Sequence, residues 1–504
     1  MQSSRSWIIV LILIAGFVLR IAGARSELWL DEITSAQLAI SALSLQDLLL
    51  NTRIDNNHLL NSAWLYLIRD WAGSAWIWYR IPALLGSALL LILLPTLLRT
   101  RSFIERFAAS ALVALSYIFI LYGSEARGYG LMLALGVLAV VVSERAKEAN
   151  KLRFLAPLFW ITCILGFLSQ FTFFNFYLPL LLASFWGVFD SKTLRTTAGR
   201  LLILHTPVIF IIGVIYVSYV RYLPPGSGEL RSYLEVIANL LSLGFGGPEI
   251  SPSNLEISLV AFSAAIGVLC VLAIEVALLL RERAQRAPIF LLGLIVPVLS
   301  LLIVEPRVLY ERYLLAPLFF SYLIFASFVS RIWNRSAGGK VIGSAMLLVI
   351  VAGTTRSTFK LLEVGRGQYQ EAIAHIQAYS QSPSVQVSGD HEFRNSTVLE
   401  FYESQNTTPR RISYQQQANI ETPWYLVHSQ DPNFAPANIL NINDHFSFEL
   451  VESYDSAPLS GWRWFLYQAP PHIVFGCSTS MGAYFLTLRH YSNSSKFDFR
   501  LSGN

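Results

Sequence analysis

Residues 5–32 read RSWIIVLILIAGFVLRIAGARSELWLDE. From Trp7 to Leu19 every residue is apolar or glycine, and the run 5–24 has the roughly 20 residues that cross a bilayer as a helix. Behind it come a tryptophan and two adjacent carboxylates, Trp29-Leu30-Asp31-Glu32. The run followed by Ala22-Gly23-Ala24 also has the outline of a secretory signal with a cleavage site. Cleavage, however, would remove the helix from which the next loop hangs.

Ten further apolar runs follow, at 80–98, 104–122, 127–143, 153–169, 171–189, 201–220, 257–280, 287–304, 313–330 and 340–355, the last being short. They are long and lack period-2 alternation, so helices rather than barrel strands are predicted to span. Composition agrees. The 504 residues are 54% hydrophobic and only 14% charged, where soluble domains carry about a quarter. This excludes a disordered chain, a coiled coil and a disulfide scaffold. Cys163, Cys270 and Cys477 form no Cys-x-x-Cys or Cys/His cluster, so a structural zinc site is not expected.

The connections set the orientation. The loops 99–106, 144–153, 190–200, 281–286 and 331–340 hold 16 of the 37 basic residues. Short basic loops stay in the cytoplasm. The N-terminus is then cytoplasmic, and the last helix delivers the C-terminus outside. The expected fold is a polytopic α-helical membrane protein with about 11 transmembrane helices, in the plasma (inner) membrane. On its outer side, loop 25–79 carries amphipathic stretches at 31–41, 44–51 and 58–72 with many tryptophans, as interfacial helices do. Loop 221–256, with Pro224-Pro225-Gly226 and Gly244-Phe-Gly-Gly-Pro248, is expected to be a flexible lid. From about 356 the polarity is ordinary. Helical stretches at 368–381 and 395–404 alternate with strand-like runs at 385–388, 411–414, 424–428, 446–454 and 462–467. The domain reading is therefore 1–355 in the membrane, 356–470 as a small extracytoplasmic α/β domain, and a tail at 471–504 with no assignable structure.

Four clusters of chemistry-bearing residues fall on the outer side. Asp31 and Glu32 stand where desolvation raises a carboxyl pKa and makes it a better base, although Asp31 as N-cap with Glu32 in the first turn explains them equally. Tyr122-Gly-Ser-Glu125-Ala-Arg127-Gly-Tyr129 puts an acid, a base and two tyrosines in one short loop. Arg127 there suits a phosphate; a local Glu125–Arg127 or Glu125–Asp31 contact is the structural reading. Glu305-Pro-Arg307-Val-Leu-Tyr-Glu311-Arg312-Tyr313 offers two arginines for an anionic headgroup, or simply snorkelling side chains. His58 follows Asp55-Asn56-Asn57. No phosphate-binding Gly-rich loop or His-Glu-x-x-His occurs, and charges do not string along the mid-helix positions, as a proton or ion relay needs.

At these residues the chain resembles the GT-C superfamily of polyprenyl-phosphate-sugar-dependent glycosyltransferases, in the branch of bacterial protein O-mannosyltransferases, the lipid A aminoarabinose transferase and RgtA/B/C/D-like membrane transferases. The matching features are Asp31-Glu32 after the first helix, Asn57-His58 through Tyr66, the run from Arg80 to Gly86, Glu125-Ala126-Arg127-Gly128-Tyr129, and Arg312-Tyr313-Leu314 opening a late helix. His58 lacks the two prolines that follow it in the family. The resemblance implies juxtamembrane helices and an inverting transfer of a hexosyl or pentosyl group on the extracytoplasmic face. It also implies a role for each site residue: Asp31 as general base, Glu32 orienting it, Arg127, Arg312 and Arg307 on the donor phosphate, and His58, Glu125, Tyr129 and Tyr313 near substrate. A divalent metal at Asp31 and Glu32 is compatible with it but not required. The partners implied are a polyprenyl-phosphate-linked sugar, membrane lipids and an acceptor protein, lipid or glycan, with no nucleic acid. The alternative class is a transporter or flippase of lipid-linked sugars, which predicts internal repeats and broken helices at midplane; the sequence shows neither.

Overall fold

Each apolar run folds as a helix, because in a bilayer the backbone must satisfy its own hydrogen bonds. The computed structural model describes residues 6–54, 58–146, 151–189, 194–224, 231–306, 308–405, 410–418, 422–442 and 446–470. Helix α1 (Ser6–Gly23) leads through an outer loop with α2 (Leu30–Ser41) and α3 (Leu59–Ile68). The bundle continues with α4 (Ile81–Leu97), α5 (Phe103–Leu115), α6 (Tyr117–Gly123), α7 (Tyr129–Ala146), α8 (Leu152–Ser169), α9 (Phe174–Phe189) and α10 (Leu194–Ser218). It closes with α11 (Tyr233–Gly244), α12 (Leu255–Arg281), α13 (Ala287–Val304), α14 (Leu315–Trp333) and α15 (Ala337–Val364). Helices α7 and α14 are buried almost all round and form the centre. By contrast α10, α12, α13 and α15 present bare apolar side chains such as Phe210, Ile303 and Leu348 outward, as a lipid-facing shell does. The chain is a multi-pass membrane protein.

Among the described residues nine helices are long and apolar enough to span, ten when the bent pair α5/α6 counts as one. Of the eleven expected spans, the sixth, 171–189, is α9, only 16 residues long, or about 24 Å. It still runs the height of the bundle. Asn175 at its start donates to the Tyr313 carbonyl at the Asp31 end, and Ser184 near its other end lies beside Arg286 and Arg145. The span expected at 340–355 is longer than its apolar core, since α15 extends over 28 residues and crosses the expected domain boundary at 356 before ending at Gly365.

Two other expectations change. The outer loop 221–256 is no flexible lid among its described residues. Ser232 accepts from the Glu235 N–H and caps α11, whose Val236, Leu240 and Leu243 are buried. Gly246 (φ +82) turns the chain so tightly against α15 that a Cβ there would lie 2.6 Å from the Ile350 carbonyl oxygen. Residues 225–230 lie outside the described residues. A broken helix is also present: α5 and α6 meet at 52°. Ser116 ends α5 and caps α6 by accepting from the Phe119 N–H, while its hydroxyl donates to the Tyr322 hydroxyl at 2.8 Å, which in turn donates to the Gly244 carbonyl. The break orphans carbonyls at the end of α5. Buried Arg20 of α1 donates to two of them, Ala114 (2.7 Å) and Val113 (3.0 Å).

The C-terminal domain comprises α16 (Tyr369–Tyr379), α17 (Glu392–Ser404) and strands β1 (Ser384–Gly389), β2 (Arg411–Tyr414), β3 (Trp424–Ser429), β4 (Ile439–Ile442), β5 (Phe446–Tyr454) and β6 (Arg463–Gln468). The sheet order is β2-β1-β3-β6-β5-β4, parallel among the first three and antiparallel beyond. Strand β4 escaped the sequence reading because its four residues, two of them half-buried, carry too little alternation. The domain docks on the loop between α1 and α4. Tyr402 donates to the Leu28 carbonyl (2.7 Å), and the Glu27 carboxylate accepts from the Tyr369 and Gln370 N–H groups at the start of α16. Asn395 is fully buried against Asp390.

Candidate active site

Asp31 and Glu32 occupy the first turn of α2, where the exposed N–H groups favour negative charge. Trp29, not Asp31, is the N-cap. Glu32 reaches back to accept from the Trp29 N–H (3.4 Å), the carboxylate half of a capping box, while the Trp29 indole has no acceptor for the other half.

From that shared turn the two carboxylates diverge. Glu32 has no exposed surface. Arg80 grips it with two bonds, Nε to Oε1 at 2.8 Å and Nη2 to Oε2 at 2.6 Å. The Ala126 N–H donates to Oε1 at 2.5 Å, and Arg366 stands 3.6 Å away. Burial alone would push the Glu32 carboxyl up, but the Arg80 and Arg366 guanidiniums and the Ala126 N–H outweigh it and hold it below its ordinary value. Arg80 also donates to the carbonyls of Ala24, Ser26 and Glu27. Arg366 reaches the Leu121 carbonyl (2.9 Å) and the Ser124 hydroxyl. Glu32 thus ties together the first outer loop, the start of α4, the 124–128 turn and the root of the C-terminal domain.

Asp31 keeps 20% of its side chain exposed. Arg127 Nη1 lies 2.9 Å and Arg312 Nη2 3.1 Å from the same oxygen, Oδ2. Arg127 is aimed by its other contacts. Its Nε donates to His58 Nε2 at 2.9 Å, and Glu125 lies 3.6 Å away. His58 precedes α3, whose Asn61 holds the Ala126 carbonyl at 2.6 Å. Burial first, then Arg127 and Arg312, keep the imidazole well below its ordinary pKa, so it is the neutral acceptor that Arg127 needs. Glu125 is buried and accepts the Trp29 indole N–H at 2.7 Å; burial outweighs the surrounding arginines and raises its carboxyl. Gly128 permits the turn, since a Cβ there would sit 1.7 Å from the Ser169 carbonyl oxygen.

Arg312 lies between the rings of Tyr310 (4.1 Å), Trp29 (5.6 Å) and Tyr313 (5.9 Å). Arg127 lies 5.1 Å from the Tyr129 ring, which packs on His58. Among the described residues the Arg312 Nε and the Tyr129 hydroxyl are buried without a hydrogen-bond partner. The cluster therefore holds one part-exposed carboxylate between two guanidiniums.

The structure brings Asp31, Arg127, Arg312, His58, Glu125, Tyr129 and Tyr313 together and turns Glu32 away from them. Arg307 lies outside the described residues. No group of three or more His, Cys, Asp or Glu side chains that could hold a metal occurs among those residues. Sequence reasoning missed Arg80, Arg366, Asn61 and Trp462, the last of which meets Trp29 edge-on at 6.0 Å from the C-terminal domain. Arg80 had a signal, a guanidinium heading an apolar helix where the dipole disfavours it. Arg366 had none.

Two solved structures are similar to this chain: ArnT from Cupriavidus metallidurans in the apo state (11% identical, TM-score 0.49) and bound to undecaprenyl phosphate (11% identical, TM-score 0.48). Each comparison covers 92% of this chain and 98% of the other. No family model matches the sequence, and no curated protein does.

Proposed function

We propose that the chain is a glycosyltransferase of the GT-C type, moving a hexosyl or pentosyl group from a polyprenyl-phosphate donor to an acceptor at the end of the bundle that carries the C-terminal domain. The charge of the opposite loops puts that end outside the cytoplasm. The observation that carries the reading is the clamp of Arg127 and Arg312 on the part-exposed Asp31. Two converging guanidiniums suit a phosphodiester, and the order of the outer motifs supports the same assignment.

In the proposed step the donor phosphate takes over the two arginines and releases the Asp31 carboxylate. Asp31 then removes the proton of an acceptor hydroxyl or amine as that atom bonds to the anomeric carbon. The bond from that carbon to the phosphate oxygen breaks, its electron pair leaves with the polyprenyl phosphate, and configuration inverts. The phosphate gains one negative charge, which Arg127 and Arg312 are already placed to stabilise. Neutral His58 aims Arg127, and Glu125 fixes Trp29; both are positioning residues. Glu32 is a positioning residue too, acting through the turn that carries Asp31. The arginines supply the charge that a divalent cation at Asp31 and Glu32 would bring.

Purified protein in lipid, incubated with radiolabelled polyprenyl-phosphate sugars and membrane acceptors, tests the proposal. The variant Asp31→Asn is expected to insert and unfold like the parent yet to transfer about 100- to 10,000-fold more slowly, the usual worth of a general base. Transfer at the parental rate by Asp31→Asn would overturn the assignment. Label crossing the bilayer intact, with no transfer, would favour the transporter reading. The α5/α6 break gives that reading little support, since Ser116 packs on Tyr322 and both are buried.

A further inference from the structure

A cavity of about 290 Å³ lies at the opposite end of the bundle from Asp31, between α4, α7, α9, α13 and α14. Its lining divides sharply. Arg99, Arg101, Arg145 and Arg286 stand at the loop end, while Leu180, Phe290, Phe319 and Leu323 line it toward the bundle centre. We propose that it binds an anionic phospholipid, with the headgroup phosphate on the arginines and the start of an acyl chain along the apolar wall.

Three observations carry this. The first is charge. Around the cavity four arginines face two carboxylates, Glu144 in the lining and Glu105, whose Oε1 lies 2.5 Å from Arg286 Nη1. Four arginines against two carboxylates leave the mouth net positive even with both acids ionised. The second is the small side of the wall. Helix α9 faces the cavity with Ala183 and Ser184, which are too small to fill it. The third is the two-part wall. Free phosphate would use the arginines and leave the apolar half bare, whereas a phospholipid matches both halves. Basic pockets between transmembrane helices on the cytoplasmic side bind anionic headgroups in this way, and the charge rule puts this end on that side. The inference stands apart from the glycosyltransferase reading, and neither depends on the other.

The test uses the full chain in phosphatidylcholine nanodiscs, titrated with phosphatidylglycerol or cardiolipin, with thermal unfolding and retained lipid (by mass spectrometry) as readouts. The double variant Arg101→Gln/Arg145→Gln removes two cavity charges. Arg335→Gln/Lys340→Gln removes two exposed charges, one in the α14–α15 turn and one in the first turn of α15, outside the cavity lining. Each arginine near a headgroup is worth roughly a fivefold factor, so the cavity variant is expected to bind anionic lipid about twenty- to thirtyfold more weakly while the loop variant binds like the parent. Equal losses in both variants would mean general surface attraction and overturn the site. An equal stabilisation by inorganic phosphate alone would overturn the lipid as its ligand.

Discussion

Consecutive side chains leave an α-helix about 100° apart, so two adjacent carboxylates in the first turn of α2 cannot serve the same partner. Asp31 turns to Arg127 and Arg312; Glu32 turns to Arg80 and Arg366. Their substitutions should therefore fail in different ways. Glu32→Gln leaves the Arg80 guanidinium fully buried with its counter-charge gone, at a cost of about 3–5 kcal/mol. It is expected to lower the unfolding temperature and membrane yield steeply, whereas Asp31→Asn loses turnover alone. Thermal unfolding of both variants beside the transfer assay separates them. A stable, inactive Glu32→Gln protein would restore Glu32 to the chemistry. In the sequence the pair was legible as important, because paired acids at a membrane surface need a reason. Which acid was buried was not legible, since the deciding arginines lie 48 and 334 positions further along the chain.

At the scale of elements the junction of α5 and α6 shows how a break is tolerated within apolar surroundings. Ser116 caps one helix, and Arg20 satisfies carbonyls released by the other. Arg20→Met keeps the size of the side chain but strands buried carbonyls, each worth about 1–3 kcal/mol. It should destabilise the bundle by roughly 3 kcal/mol or more, read as a lower unfolding temperature with α1 released from α5. Unchanged stability would show that water replaces the guanidinium there. The spans were legible because the run of apolar residues is itself the physical requirement. The bend at Ser116 was not, because serine is ordinary in such helices and the partner that stabilises it lies on α14. Nor was the order in α11, where the glycines around 246 read as looseness and instead allow contact with α15.

For the whole molecule, two of the groups at the docking interface of the C-terminal domain are carboxyls, Glu27 and Glu249. Burial raises Glu27 to about 7 against the two N–H groups it accepts. Burial, then Glu311, raises Glu249 to about 8, where it accepts from the Leu459 backbone. Both bind a proton more tightly docked than undocked. The docked state is thus favoured at low pH, and this contribution is lost as pH rises from near 5 through 7 and 8. Hydrogen exchange at 369–372 and 457–460 should show protection falling between pH 6 and pH 8.5, after correction for intrinsic rates, and Glu27→Gln should flatten part of that dependence. Protection independent of pH would refute it. The sequence by itself determined the spans, the charge asymmetry between the loops and the presence of a polar C-terminal domain, because hydrophobic length and loop charge act locally along the chain. Only the tertiary structure decided that Asp31 faces two arginines, that Glu32 is a buried tie, and that a basic cavity opens at the far end. Those outcomes depend on which distant side chains meet, and that is set by how the helices pack.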